Sequence, residues 1–160
     1  MPQLPRVPDL KAQRAAMQEL AFLIGKWSGE ARALRGPDHW VDLQQTEEAQ
    51  FKLDGLILVI EGIGRMKSDG STVLQAFGIL SYDDETNTYH MRAFNDGRFL
   101  ETEVKLSAAD KQLAWGFALG DIKTSSIVRI TEIGEGTETH EIAIGSQPSK
   151  ALLNVTVRRD

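Results

Sequence analysis

Cysteine is absent from this chain of 160 residues. Its absence excludes disulfide bonds, thiolate metal sites, iron–sulfur clusters and cysteine nucleophiles. Histidine is scarce as well: His39, His90 and His140 show no His-x-His, His-x-x-x-His or His-Glu-x-x-His spacing. No apolar run approaches the ~20 residues that cross a bilayer. The sequence therefore predicts no metal site, no cofactor and no membrane span.

An excess of positive charge is also lacking. The chain has 18 Lys and Arg against 23 Asp and Glu, a formal net charge of −5, and its only adjacent basic pair is Arg158-Arg159. This balance argues against a nucleic-acid partner. The first residues lack the basic and apolar regions of a signal peptide, so we expect a cytoplasmic protein.

The N-terminal part of the chain differs from the rest. Three prolines in residues 1–8 predict an extended leader, and residues 9–160 fit a single domain. Asp9 is a good helix N-cap, and apolar residues recur at helical spacing from Leu10 to Ile24. Gly25 is placed to end this helix as its C-cap.

After Gly25 the sequence has the pattern of short strands joined by tight turns, such as Asp54-Gly55 and Asn95-Asp96-Gly97. Regular strands without intervening helices predict an all-β fold. About ten sequential strands favour an up-and-down antiparallel barrel, because closure removes exposed sheet edges. The predicted strands cover about 26–34, 38–52, 55–65, 72–82, 87–95, 98–106, 111–118, 121–132, 137–145 and 150–159.

Strand alternation assigns side chains to the two faces of the sheet. In the second strand, Leu43 and Phe51 belong to the apolar set that should face inward, and the same parity turns Gln45 and Glu47 inward. A buried carboxylate must be paired, protonated or solvated. Glu47 and Gln45 are therefore candidate polar anchors on a cavity wall. A bulge that returns Glu47 to solvent, or a structural pair with an inward arginine, is the alternative.

Other strands supply further candidates. In residues 87–95, one face carries Tyr89, Met91 and Ala93 and the other carries His90, Arg92 and Phe94. If the second face lines the interior, Arg92 is the natural partner for Glu47. Trp115 belongs to an aromatic face, and His140 shares an inward parity with Glu138. Residues 56–60 are apolar on both faces, which indicates that the N-terminal helix or a second subunit of a homodimer covers them.

Several short segments resemble a bacterial family of lipocalin-like domains of unknown function, among the calycin-like barrels. The resemblance runs from about Lys11 onward. In lipocalins a Gly-x-Trp in the first strand packs against an arginine of the last strand, which implies that Trp27 contacts Arg158 or Arg159 at a closed end. The segments are Leu20-Ala21-Phe22-Leu23-Ile24-Gly25-Lys26-Trp27-Ser28-Gly29-Glu30, Gln45-Thr46-Glu47, Leu53-Asp54-Gly55-Leu56, Ser81-Tyr82-Asp83 and Val155-Thr156-Val157-Arg158-Arg159.

A more distant resemblance is to nitrobindins, ten-stranded barrels that bind haem through a histidine near the C-terminus. The last predicted strand, 150–159, contains no histidine, and His140 lies one strand earlier. The haem ligand of that family therefore does not carry over to this sequence.

These observations favour a non-enzymatic binding or carrier protein for a small apolar or amphipathic ligand inside a barrel. No catalytic residue is predicted. The alternatives are an enzyme with Glu47 as general base, a haem- or gas-binding barrel that uses His140, and a dimerising barrel with a filled core. The predicted ligand-binding residues are Gln45, Glu47, Arg92, His140, Phe94 and Trp115.

Overall fold

The computed structural model describes residues 4–131 and 134–160. Residues 1–3 of the predicted leader and residue 132 of the predicted eighth strand lie outside the described residues. Within the described part, the chain forms one α-helix, a short 3-10 turn and ten strands. These elements are α1 (Leu10–Gln18), η1 (Ala21–Leu23), β1 (Gly25–Leu34), β2 (Trp40–Lys52), β3 (Ile57–Met66), β4 (Thr72–Asp83), β5 (Thr88–Asn95), β6 (Arg98–Ser107), β7 (Gln112–Leu119), β8 (Ile122–Ile130), β9 (Glu135–Ile144) and β10 (Lys150–Arg159).

Each strand pairs antiparallel with the next, and β1 pairs with β10 to close the barrel. The closing register places Trp27 opposite Arg159 and Ala31 opposite Val155. Closure gives every strand two neighbours, and β6 and β7 pair only at Lys105–Ala114, Leu106–Leu113 and Ser107–Gln112. The prediction of an up-and-down antiparallel barrel with a short N-terminal helix is confirmed.

The turns follow the residue types that predicted them. Between β5 and β6 only Asp96 and Gly97 connect the strands, with φ angles of 50° and 81°. Positive φ at both positions gives a two-residue turn whose twist matches that of the flanking strands, and aspartate and glycine are among the residues that adopt it most readily. Each predicted strand overlaps an observed one.

The N-terminal helix is shorter than its apolar spacing predicts. Asp9 is the N-cap, and its side chain accepts a hydrogen bond from the backbone N–H of Ala12 at 3.0 Å. The helix ends at Gln18 with Glu19 as C-cap, so the prediction that Gly25 caps it is wrong. Gly25 is instead the first residue of β1, with a φ of 135°. The turn after Gln18 lets Leu20 and Leu23 enter the barrel floor, and this burial outweighs continued helix formation.

The apolar core fills the end of the barrel beneath this segment. Met17 and Leu20 are fully buried there, together with Leu23 and Trp27. The Trp27 indole N–H donates to the backbone oxygen of Leu23 at 3.0 Å, which satisfies the indole inside the core.

Arg159 seals the same end. Its guanidinium lies 4.5 Å from the centre of the Trp27 ring and donates to the backbone oxygen of Phe22 at 2.7 Å. The implied contact between Trp27 and the last strand is present, and it uses Arg159. Arg158 lies on the outer face, 3.6 Å from the Glu135 carboxylate.

No helix in residues 4–131 and 134–160 is both long and apolar enough to cross a membrane.

Candidate functional site

A group of polar side chains lies on the inner wall of the barrel, contributed by β2, β8 and β9. Alternation along β2 turns Gln45 and Glu47 inward, and alternation along β9 turns Glu138 and His140 inward. Ser126 of β8 lies opposite His140 in the strand register. We call Gln45, Glu47, Ser126, Glu138 and His140 the lumen network.

The network is a continuous chain of contacts. His140 Nε2 and Glu138 Oε1 are 2.7 Å apart, and His140 Nδ1 and Ser126 Oγ are 2.6 Å apart. Because a carboxylate can only accept, the Nε2 atom of His140 carries the shared hydrogen. Glu47 hydrogen-bonds Glu138, and the Gln45 amide nitrogen donates to Glu47 Oε1 at 3.4 Å.

Two carboxyl groups in contact cannot both be ionised at low cost. Burial, reinforced by the Glu138 carboxylate, raises the pKa of Glu47 well above the ordinary glutamate range. Burial also disfavours ionisation of Glu138, but its hydrogen bonds with His140 and Glu47 outweigh burial and lower its pKa. The opposite directions of the two shifts favour the proton on Glu47 and the negative charge on Glu138.

Glycines on β3 make room for this pair. Gly62 lies opposite Glu47 in the register, and Gly64 lies opposite Gln45. A Cβ atom on Gly64 would approach Gln45 Oε1 to 2.9 Å, closer than a side chain tolerates. The missing side chains of these glycines accommodate Gln45 and Glu47.

The Gln45 side chain has an unsatisfied atom. The residue is 2% exposed, and its Oε1 atom has no hydrogen-bond partner among the described residues. Leaving a buried acceptor unpaired costs about 1–3 kcal/mol. Such a cost in a native protein calls for an explanation in terms of function or bound solvent.

Above the floor of the barrel, side chains do not cover the inner wall completely. Several inner-face residues are only half-buried, including Ile60, Ala93, Trp115 and His140. The Glu138 and His140 side chains keep 20% and 25% of their surface accessible. Among the described residues, a Cβ atom on Gly78 would meet only Met91 Sδ, at 3.9 Å. The inner wall above the floor therefore keeps accessible surface, and we call the space that it borders the lumen.

Trp115 lies beside the network, and its ring meets the His140 ring edge-on with 6.0 Å between centroids. Of the six predicted site residues, Gln45, Glu47, Trp115 and His140 thus share the inner wall. Their role as ligand contacts stays a prediction.

Arg92 and Phe94 lie elsewhere. The inner face of β5 carries Tyr89, Met91 and Ala93, so Arg92 and Phe94 point outward. Arg92 pairs with Glu101 at 2.7 Å, with 67% of its side chain exposed, and Phe94 packs on Phe99. The expectation that Arg92 neutralises Glu47 is wrong, because closing the barrel with the uncharged face inward avoids burying a guanidinium.

Sequence reasoning placed Glu138 on the inner face but did not include it in the site, and it missed Ser126. Glu138 meets Glu47 across β1 and β10, which separate β2 from β9, and β1 presents the small residues Gly29 and Ala31 on this inner face. One signal could have added Glu138 to the predicted site. It lies two residues before His140 on the same strand, so both side chains point to the same face.

The site does not fit a haem group. Both ring nitrogens of His140 are engaged, with Ser126 and Glu138, so binding iron would break one of these bonds. In residues 4–131 and 134–160, no three His, Asp or Glu side chains are grouped in a way that could hold a metal ion.

The fold and the site define a closed antiparallel β-barrel with a sealed floor and an acidic polar network on its inner wall. A crystal structure of Rv2717c from M. tuberculosis has the same fold, with a TM-score of 0.66 and 13% sequence identity over 91% of this chain and 97% of that chain. At this identity the likeness shows the fold alone. No family model and no curated protein matches the chain.

Proposed function

We propose that this protein binds a small, mostly apolar or amphipathic molecule in its lumen, with the lumen network as the polar anchor. The observation that supports the proposal is an inner wall that combines half-buried apolar side chains with a polar network. A few polar groups on a mostly apolar concave wall are typical of small-molecule sites.

The division of the barrel into two parts supports this function. The floor is filled by fully buried side chains such as Leu20, Leu58 and Leu80. Above it the inner wall carries small or half-buried residues, among them Ala76, Gly78 and Ala93. A barrel that served only as a packed scaffold would gain stability by filling this space, since each missing methylene group costs about 0.8 kcal/mol of burial.

Trp115 offers a direct test, because it lies on the lumen wall beside His140. We expect 1-decanol, a neutral amphiphile, to change tryptophan emission saturably in the wild type and not in Trp115→Phe. Trp40→Phe is the matched control and should retain the change. A wild type that responds to no ten-carbon alcohol, amine or carboxylate would contradict lumen binding.

A second candidate function, an enzyme that uses the Glu47 carboxyl group in acid–base catalysis, has one observation in its favour. The raised pKa of Glu47 is a property of catalytic carboxyl groups. A raised pKa favours the protonated form of Glu47, which suits a proton donor better than the general base expected from the sequence. An NMR titration that finds Glu47 near pKa 4 would remove this second function.

A further inference from the structure

Three phenylalanine side chains form a row on the outer face of the barrel. Phe77 of β4 lies opposite Phe94 of β5, and Phe94 lies opposite Phe99 of β6 in the strand register. The centroids of the Phe94 and Phe99 rings are 5.3 Å apart. Phe77 is 37% exposed, Phe94 48% and Phe99 58%. We call these three residues the aromatic row.

The aromatic row exposes roughly 300 Å² of apolar surface, since a phenylalanine side chain presents about 200 Å². Apolar patches of about 300–600 Å² are the largest on typical monomeric proteins, and they often mark interaction sites. Helix α1 does not cover the row, because it packs at the floor of the barrel, where Met17 is buried. The row is therefore a candidate contact for a second chain.

A groove borders the aromatic row on the side of the open end. It has a volume of about 340 Å³ and runs from Ile63 and Gln75, past Phe77 and Phe94, to the turn at Asp96. Asp96 is exposed there, and its Oδ1 atom accepts a hydrogen bond from the backbone N–H of Gln75 at 3.4 Å. The groove thus combines an apolar wall with a carboxylate at one end.

A guanidinium borders the row on its other side, toward the floor. Arg92 precedes Phe94 by two residues on β5 and shares its outer face. Its Nε atom donates to Glu101 at 2.7 Å, and its terminal nitrogens have no acceptor among the described residues. Arg92 and Asp96 are about 12 Å apart along the strand, too far to meet within one chain. The aromatic row therefore lies between two opposite charges.

From the aromatic row, its groove and the two charges that flank it, we propose that this face joins two copies of the chain in a two-fold symmetric dimer. A two-fold axis along the row turns the second copy so that each phenylalanine meets its own counterpart. The same rotation brings Arg92 of one protomer to Asp96 of the partner subunit, and every contact forms twice. An axis along the strands would instead set Arg92 against its own counterpart, so the charges favour the first arrangement.

The curvature of the barrel limits this contact to β4, β5 and β6, beside the doubly apolar residues 56–60 of the sequence. The contact area is therefore smaller than the ~800 Å² per partner of a standard interface. We expect a reversible dimer with a dissociation constant of about 1–100 µM. The proposal does not depend on a ligand in the lumen.

Sedimentation equilibrium of the full chain tests the dimer at concentrations from about 1 to 200 µM. We expect a monomer–dimer equilibrium that Phe94→Gln weakens about tenfold or more. Phe117→Gln is the matched control, because Phe117 is 45% exposed but lies on the inner face of β7, and it should dimerise as the wild type does. Equal weakening by both substitutions would overturn the proposal. A wild type that stays monomeric would also overturn it, and vesicle binding abolished by Phe94→Gln would then assign the row to a membrane surface.

A double-mutant cycle tests the contact between Arg92 and Asp96. Arg92→Gln and Asp96→Asn should each weaken the dimer about fivefold, and the double variant should be no weaker than either single variant, because the pair is already broken. Asparagine suits the φ of 50° at Asp96, so the turn is kept. Losses that add in the double variant, or no loss in either single variant, would overturn the two-fold arrangement. If circular dichroism shows that one of these variants does not fold, the sedimentation of the wild type, Phe94→Gln and Phe117→Gln decides.

Discussion

Glu47 on β2 and Glu138 on β9 hydrogen-bond each other inside the barrel, although β1 and β10 lie between their strands. The contact joins the two carboxyl groups through a single proton, and His140 holds the ionised partner at 2.7 Å. It is the contact from which the electrostatics of the lumen follow, and the first prediction rests on it.

The first prediction concerns the pH dependence of stability. Burial and Glu138 raise the folded-state pKa of Glu47 well above its unfolded value, so the folded protein keeps a proton that the unfolded chain releases. The free energy of unfolding should therefore fall as pH rises from the unfolded pKa through the folded one. Glu47→Gln should abolish this fall and be more stable than the wild type at high pH. Urea denaturation from about pH 4 to pH 9 measures the effect.

Glu48→Gln is the control for this series, since Glu48 is exposed on the outer face of the same strand. It should retain the pH dependence of the wild type. Parallel curves for the wild type and Glu47→Gln would contradict a protonated Glu47.

The second prediction concerns the seal at the closed end. Arg159→Ala removes the contact with the Trp27 ring and the hydrogen bond to the Phe22 oxygen. The cation–π contact contributes about 0.5–2 kcal/mol and the hydrogen bond about 0.5–1.5 kcal/mol, so we expect a loss of about 1–3 kcal/mol. Arg158→Ala, at an exposed outer position, should lose less than about 1 kcal/mol. Urea denaturation measures both losses in the free energy of unfolding. Similar losses for the two variants would show that the contacts of Arg159 stabilise the closed end no more than an exposed arginine does.

The third prediction compares two inward-facing glycines. A Cβ atom on Gly29 would lie 2.0 Å from the Thr156 backbone oxygen, so Gly29→Ala forces β1 and β10 apart. We expect destabilisation at or beyond the upper end of the ~1–3 kcal/mol typical of overpacking. Gly78→Ala meets open space and should be neutral or slightly stabilising, because alanine lowers the entropy of the unfolded chain. Thermal denaturation distinguishes the two, and a large loss in Gly78→Ala would contradict an unfilled lumen.

The fourth prediction concerns the attachment of the N-terminal segment. Asp84 accepts hydrogen bonds from Arg6 at 2.7 Å, from the Gln13 amide at 2.8 Å and from the Asp9 backbone N–H at 2.9 Å. These bonds, above all that from Arg6, hold the pKa of Asp84 far below its usual range. Asp84→Asn should increase hydrogen exchange in residues 9–18 while the strands keep their protection.

The pH dependence of this attachment has the opposite sign to that of Glu47. Because the folded pKa of Asp84 is lowered, its contribution is complete above the unfolded pKa and declines as pH falls through the folded one. Protection factors in residues 9–18, which correct for the intrinsic exchange rate at each pH, should therefore fall in acid in the wild type and change less in Asp84→Asn. Asp42→Asn, on the outer wall beside Arg32, is the control and should behave as the wild type.

Much of the fold followed from the residues themselves. Alternation of apolar and polar side chains fixed the strands, and turns such as Asp96-Gly97 fixed their connections, because both signals are local. Alternation also turned Gln45 and Glu47 inward, since neighbours on the same strand, Leu43 and Ala49, are strongly apolar. In β5 it gave no answer, because both faces contain aromatic or apolar residues.

Closure of the barrel settled what alternation left open. Pairing β5 with β4 and β6 put Met91 opposite the core residue Leu80 and Tyr89 opposite the core residue Val104, and it left Arg92 with Glu101 in solvent. The physical reason is that one closed interior selects one face of every strand, and a buried unpaired guanidinium costs more than an exposed Phe94.

The sequence by itself thus determined the strands, their turns and the inward carboxyl of Glu47. Only the tertiary structure decided its partner. Glu138 is distant in sequence and two strands removed in the sheet, and no local pattern encodes a contact made across Gly29 and the neighbouring inner-face residues of β1 and β10. The same closure put Arg92 on the outer face and Glu138 on the inner face, because a single closed interior selects one face of every strand.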